Sequence, residues 1–488
     1  MLDGDMVPAL TVVRSLGRRG LHVEVASHEA RPLAGYSRYV RRRLRYPDPL
    51  SQEAAFLAWA RERIASGADT LVIPVTERTL VPLAFGLGPE EGAERVAMAP
   101  PRSLEVVLDK RRTVALARRV GVAVPRSVAV STVEEAVAEA ERLGYPVVLK
   151  PARSIGRRGD TRVTRAVAYA HGREELRPQV EAALAVGEVV LQEYFQGIGV
   201  GIELLAERGR IRAAFQHHRL HELPLTGGGS CLRQSVPIEP MLRDAAARLV
   251  EALRWHGVAM VEFKWDPARR DYRLMEVNGR LWGSLPLPVA AGLDFPALLY
   301  DLHTGGRPAP PRGVRHGVVC RKLSADLEWY LQVLRLPAAE RRRYLPSLAA
   351  MAADLARVVA PSHHFDVQEL RDPLPGLVDL ARVASGLGSR VSRTLAWRRR
   401  LRRQQRLWAT GVVARRLAAA RRLLFVCYGN INRSCLAERL FLDHAVEGVA
   451  VASAGFHREE GRCADPRMAE VAAAHGISLA GCASRRLD

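Results

Sequence analysis

VAMVEFKWDPARRDYRLMEVNGR, residues 258–280, decides how this chain is read. It parses into two strand-like runs, VAMVEFKWD and YRLMEVNGR, joined by a polar turn. Each run sets one glutamate among apolar residues: Glu262 between Val261 and Phe263, Glu276 between Met275 and Val277. A carboxylate inside a core is costly unless it is paired or bound to a cation. If the strands are antiparallel neighbours, Glu262, Glu276 and Asn278 converge. Such a hard oxygen donor set suits Mg2+ rather than zinc or iron.

Upstream, lysine usage points the same way. Of 73 basic residues only Lys110, Lys150, Lys264 and Lys322 are lysine, and the rest are arginine. A lysine kept in such a chain marks a place that wants a compact ammonium. Lys110 lies in DKRRT (109–113) and Lys150 in YPVVLKPARSIGRRG (145–159). The stretch 153–159, with Gly156 and Gly159, can fold backbone N–H groups over phosphates. STVEEAVAEAERLG reads as a capped amphipathic helix, VVLQEYF as a strand, VGIELLAERGRIRAAF as a hairpin turning at Arg208-Gly209, and 240–256 as a helix. Residues 1–98 read as a small α/β unit with a further strand in ADTLVIPVTERT.

DKxxT, VVLKP with its glycine loop, QEY, VEFK and MEVNGR, in that order, resemble the ATP-grasp superfamily. The likeness is greatest to its carboxylate–amine ligases and the synthetase domains of carbamoyl phosphate synthase. The resemblance covers residues 100–305 and implies ATP and Mg2+ as cofactors and small-molecule carboxylate and amine substrates. It puts Lys110, Lys150, Gly156 and Gly159 on the phosphates. Adenine is expected against Gln192, Glu193, Tyr194 and Phe195, with Glu193 as the reading carboxylate and Glu203 as a second acid near the nucleotide. Glu262, Glu276 and Asn278 become the metal ligands, and Arg280 the arginine that steadies an acyl phosphate. The Gly227–Ser230 loop, with Glu222 and Arg233 beside it, is expected to be a flap over the second substrate. His217, His218 and His221 are expected to contact substrate or lie on the surface, and Tyr272 and Arg273 to be surface residues.

LLFVCYGNINRSCLAERL (423–440) is a second signature. A strand ends at Cys427, five residues follow, and Arg433 and Ser434 open a helix. That places a thiolate in a cradle of backbone N–H groups, with an arginine to clamp phosphate and a serine to bond the sulfur. CxGNxxRS, SAG (453–455) and ADPR (464–467) resemble the low-molecular-weight protein-tyrosine phosphatases. Two departures stand out. Asn432 occupies the family's second cysteine position, and the sequence ends at Asp488, about halfway through that fold and short of its acid loop. The expectation is a loop that binds phosphate and turns over poorly. At the other end, the chain opens on LDGD, where a unit of this kind would normally have completed its first strand, so a slightly earlier start is expected.

The formal charge is +21, and 13 arginines without one acid fall in residues 381–422. With Trp397, Leu401, Leu407 and Trp408 interleaved, this segment suits an anionic membrane surface, a nucleic-acid backbone or a solvated spacer. Elsewhere no nucleic-acid motif occurs. Six cysteines without a CxxC fit a reducing compartment, and the cytoplasm is expected, with peripheral membrane attachment through 381–422 as an added expectation.

The expected architecture is multidomain, α/β and α+β. It comprises a pre-ATP-grasp α/β domain (1–98), a two-lobed ATP-grasp domain (99–305), a helical arginine-rich linker (306–421) and a partial phosphatase-like parallel α/β domain (422–488). The leading expectation is an ATP- and Mg2+-dependent ligase joining a carboxylate to an amine. The alternatives are a phosphatase with a nucleotide-sensing region and a membrane-surface scaffold.

Overall fold

The computed structural model describes the chain apart from residues 68–69, 152–154, 159–160, 165–166, 185–186, 226, 307–312, 343–346, 445–447, 458 and 488. It divides into two compact units, Met1–Ala384 and Ser385–Asp488.

The first unit opens with helix Val7–Arg18, whose apolar side is buried, and the parallel strands β1 (Val23–Ser27) and β2 (Val40–Arg45). The strand expected near residue 72 is reduced to a single bridge, Val72 to Val96, because Val72 bonds only Arg95 and Ala97 along that edge. Asp3 draws this region together. Its carboxylate accepts from the backbone of Val75 and Thr76 and from the Thr79 hydroxyl, at the start of helix Glu77–Gly86.

A small lobe follows. β3 (Ser127–Val130), β4 (Val147–Pro151), β7 (Ala168–Ala170) and β8 (Val189–Glu193) form a sheet in the order β3-β8-β4-β7, while β5 (Ile155–Arg158) and β6 (Thr161–Thr164) form a separate hairpin. Helix Val133–Leu143 starts where its sequence says, with the Thr132 hydroxyl accepting from the Glu135 N–H.

The large lobe is a seven-stranded sheet in the order β13-β12-β9-β10-β11-β14-β15. Its strands are β9 (Ile198–Glu207), β10 (Arg210–Leu223), β11 (Gly229–Val236), β12 (Gly257–Asp266), β13 (Asp271–Asn278), β14 (Val319–Arg321) and β15 (His363–Phe365). Arg208 and Gly209 turn the β9–β10 hairpin with positive φ at both positions, 49° and 87°. Helix Pro240–Ala252 covers the sheet with Leu242, Ala245, Ala246 and Leu249, part of a core that includes Trp255 and Phe263. Tyr272 belongs to that core, edge-on to Phe263 with ring centroids 5.4 Å apart, rather than to the surface.

Residues after 305 are more than a helical linker. β14 and β15 extend the large sheet, and the segment returns to the start of the chain, where the Arg14 guanidinium bonds the Asp372 carboxylate at 2.9 Å. Arg233, expected beside the flap, is fully buried and ion-paired with Asp366 on this returning segment. A charge that deep needs its counter-ion.

The second unit begins within the long helix Pro373–Ala409. It ends in β16 (Arg422–Cys427) paired in parallel with β17 (Ala450–Gly455), flanked by helices Arg433–Asp443 and Pro466–Ala474.

Candidate functional site

β12 and β13 are antiparallel and pair Glu262 directly with Glu276. Directly opposed residues share a face, so both carboxylates rise together. Asn278, at the end of β13, donates from Nδ2 to Glu262 Oε1 at 3.0 Å and Glu276 Oε1 at 3.2 Å. Burial and the neighbouring Glu276 charge hold Glu262 above its ordinary pKa, against the pull of Arg219. Burial also opposes ionisation of Glu276, but Lys110 and Lys150 overcome it and leave that carboxylate below its ordinary value. Three oxygen-bearing side chains at one point, with the Lys110 and Lys150 ammonium groups near them, fit a divalent cation.

The two lysines arrive from different elements. Lys110 is the first residue of helix Lys110–Arg119, whose N-cap Asp109 accepts from the Arg111 and Arg112 N–H groups; DKxxT is thus a helix start that aims its lysine. Lys150 comes from β4 of the small lobe. Burial, then repulsion from Lys110, lowers its pKa to about 8. Gly156 lies on β5, paired with Val163, and Gly159 falls outside the described residues.

Lysine scarcity proves more telling than two motifs suggested. Lys110, Lys150, Lys264 and Lys322, every lysine in the chain, line one cleft together with Glu262, Glu276, Asn278 and Arg280. Lys264 reaches Glu222 at 3.3 Å, and Lys322 precedes helix Leu323–Arg335 at the far end. Arg280 donates to Asn278 Oδ1 at 3.2 Å and lies 3.5 Å from Glu77, an acid of the N-terminal region that the sequence did not flag. Arg219, also unflagged, bonds Glu262, Glu222 and the Gly228 carbonyl. It thereby ties the carboxylate cluster to the Gly227–Ser230 loop, whose latter half is already strand β11.

The strand expected to meet adenine presents different side chains to the cleft. Strand pleating turns Val190 and Gln192 toward the cavity, with Ser127 beside Gln192 on the neighbouring strand and Leu274 and Met275 also lining it. Glu193 is turned away from it and held by Arg126 at 2.5 Å and by Arg273 at 3.9 Å. Tyr194 is exposed, with Tyr169 edge-on at 6.3 Å, and Phe195 carries the Arg273 guanidinium 4.7 Å from its ring centroid. Arg273 is therefore engaged with Glu193 and Phe195 rather than an idle surface residue.

Glu203 lies on the cleft face of β9, opposite Met260, but is fully buried, and Ser284 donates to it at 2.6 Å. His217 Nδ1 lies 3.1 Å away. Burial raises Glu203 to about 8 and lowers His217 to about 3, so the pair is neutral at pH 7. His221 is no surface residue either: it stacks on Trp329 at 3.6 Å and bonds Asp326 at 2.7 Å. His218 is half-buried.

In the second unit, Cys427 ends β16 and its sulfur receives the Asn430 N–H at 3.2 Å and the Ser434 hydroxyl at 3.0 Å. Burial alone would raise this thiol, but those donors and the Gly429 amide leave it below its ordinary pKa. Asn430 takes φ 52° and braces the loop through Ser434 and Ser453. Gly455 lets the loop close, since a Cβ there would meet Tyr428 O at 2.8 Å. Arg433 is the first, exposed residue of its helix, and Asp465 serves as an N-cap for Arg467 and Met468.

Comparison with known proteins follows these two sites. Residues 109–208 match the ATP-binding domain of the carbamoyl-phosphate synthase L chain. Residues 186–325 match ATP-grasp in the biosynthetic pathway with Ter operon, and 422–488 match low molecular weight phosphotyrosine protein phosphatase. The carbamoyl phosphate synthase large chain of Acidobacterium capsulatum is 24% identical over 267 residues, 53% of this chain and 24% of that one. The N-terminal section from Methanopyrus kandleri is 31% identical over 177 residues, 34% of this chain and 30% of that one. This chain thus spans well under half the length of these relatives. Biotin carboxylase from Campylobacter jejuni, solved as a β,γ-ATP complex, superposes with TM-score 0.53 at 17% identity, covering 65% of this chain and 73% of that one. The ADP complex of PurK, an N5-carboxyaminoimidazole ribonucleotide synthetase, gives 0.54 at 14%, covering 68% and 84%. Residues 109–325 are thus similar to ATP-grasp and carbamoyl-phosphate-synthase ATP-binding domains, and residues 422–488 to low molecular weight phosphotyrosine protein phosphatase.

Proposed function

We propose that the first unit is an ATP- and Mg2+-dependent ligase that activates a small carboxylate and joins it to an amine. The observation that carries this reading is the gathering of all four lysines on the cleft that holds Glu262, Glu276 and Asn278. Lys110 and Lys150 would hold the triphosphate, and the three oxygen ligands a magnesium ion, which would neutralise phosphate charge and orient it for transfer.

In the first step a carboxylate oxygen of the substrate attacks the γ-phosphorus and ADP leaves, giving an acyl phosphate. The amine then attacks the carbonyl carbon, phosphate departs and the nitrogen loses a proton. Arg280, anchored by Glu77 and Asn278, would face the charge that develops on the acyl phosphate. Lys264, bonded to Glu222, and Lys322 also line the cleft, and their positive charge suits a second anionic group on a substrate. Positioning and electrostatics suffice for such chemistry.

The test is ADP release by the full chain with MgATP across panels of carboxylates and amines, beside Lys150→Met and Glu276→Gln. Release that needs an acid and an amine together, and is lost in both variants, is the expected result. Well-folded protein that binds no MgATP would end this reading. For the second unit we propose phosphate binding at Cys427–Ser434 with poor turnover; ordinary p-nitrophenyl phosphate hydrolysis abolished by Cys427→Ser would contradict it.

A further inference from the structure

The basic helix plays no part in either site. Between 384 and 406 every side chain described is exposed, including Leu395, Leu401 and Trp397 at 65%, and beyond that range Trp408 is 60% exposed. Three of these four are aligned, with Leu395 on the opposite face. Trp397, Leu401, Gln404 and Trp408 fall at i, i+4, i+7 and i+11, one stripe of an α-helix. By the same repeat Arg393 and Arg400 flank the stripe on one side and Arg398 on the other. From Ser385 to Ala409 the helix carries eight arginines and no acid.

Three occupants could cover such a stripe, and charge separates them. The spacing is also that of a coiled-coil seam, but a second copy would set Arg393, Arg398 and Arg400 at the flanking positions against their own equivalents, where like charges repel. A nucleic-acid duplex would neutralise the arginines and leave the tryptophan stripe in water. An anionic lipid surface satisfies both halves: indole rings and Leu401 enter the interface, and the long arginine side chains reach outward to the headgroups.

We propose that Ser385–Ala409 lies along an anionic bilayer surface with Trp397, Leu401 and Trp408 turned into it. The segment spans roughly 35 Å at 1.5 Å per residue. No helix described is long and apolar enough to cross a membrane, so the association is lateral.

Flotation of the full chain with phosphatidylcholine vesicles, with and without phosphatidylglycerol, tests this. Wild type is expected to float with the anionic vesicles only. The Trp397→Ala/Trp408→Ala variant keeps the charge and is expected to lose about tenfold in partitioning, with circular dichroism and MgATP binding unchanged. Equal flotation of variant and wild type would overturn the proposal. So would tryptophan-dependent self-association in sedimentation, or tryptophan-dependent binding of an RNA or DNA oligomer with no flotation.

Discussion

Arg219 crosses the floor of the cleft to pair with Glu262, and it can do so because Gly199 and Gly201 of the intervening strand have no side chains. A Cβ on Gly199 would meet Arg219 Cδ at 2.9 Å, and one on Gly201 would meet His217 Cε1 at 2.4 Å. The carboxylate cluster thus already has a cation, held on an arm that also touches the Gly227–Ser230 loop.

Glu262→Gln should therefore weaken MgATP binding by about tenfold or more while leaving metal-free ATP binding, measured with EDTA present, little changed. Calorimetry on both forms of the nucleotide checks this. An equal loss in both would mean that Glu262 serves the fold and not the metal.

Lys150 is poised to titrate in an accessible range. With its pKa lowered to about 8, it is charged at pH 7 and loses its proton as the pH rises through 8. Bound phosphates favour the charged form, so nucleotide binding should take up protons near pH 8 and weaken above it. Calorimetry in buffers of different ionisation enthalpy should register that uptake at pH 8, little at pH 6.5, and none in Lys150→Met.

Glu203 predicts the pH dependence of stability. Its folded pKa, about 8, exceeds the unfolded value of 4.5. The folded state thus binds more protons between those values, and this group's contribution to stability is present below 4.5 and falls as pH rises toward 8. His217 acts oppositely: lowered to about 3 from 6.5, it costs stability as pH drops below 6.5. Glu203→Gln should flatten the decline of Tm between pH 5 and 8 in thermal melts, and an unchanged slope would refute the assignment.

Ser434→Ala removes a donor to the Cys427 sulfur. Its thiol pKa should rise, and alkylation by iodoacetamide at pH 7 should slow several-fold, with the rate–pH curve displaced upward. An identical curve would leave the backbone amides as the whole cause.

Asp366→Ala leaves Arg233 buried without its partner. A loss of about 3–5 kcal/mol is expected in urea unfolding, and a loss below about 1 kcal/mol would mean that the guanidinium finds another partner.

Sequence carried much of this. Alternating apolar residues around Glu262 and Glu276 gave away two strands, but their convergence was conditional on antiparallel pairing, which β12 and β13 have. The Thr132 cap and the Arg208-Gly209 turn were local signals too. What stayed hidden was long-range or too short to have a period. β14 and β15 have three residues each, and Arg233–Asp366 joins positions 133 apart. Glu193 and Glu203 were placed by correspondence with other proteins, whereas the pleat and the buried Ser284 decide where they point. Lys264 and Lys322 were flagged only by their rarity, and the fold supplies the reason for it.

The contact between Arg14 and Asp372 also bears on how the protein is made. A buried guanidinium in the first helix has its carboxylate 358 residues downstream. During synthesis the amino-terminal region therefore leaves the ribosome with a charge it cannot yet bury at low cost. The usual order, in which early segments finish folding before late ones appear, cannot hold for this helix. Its final seating must wait until nearly the whole first unit has been translated.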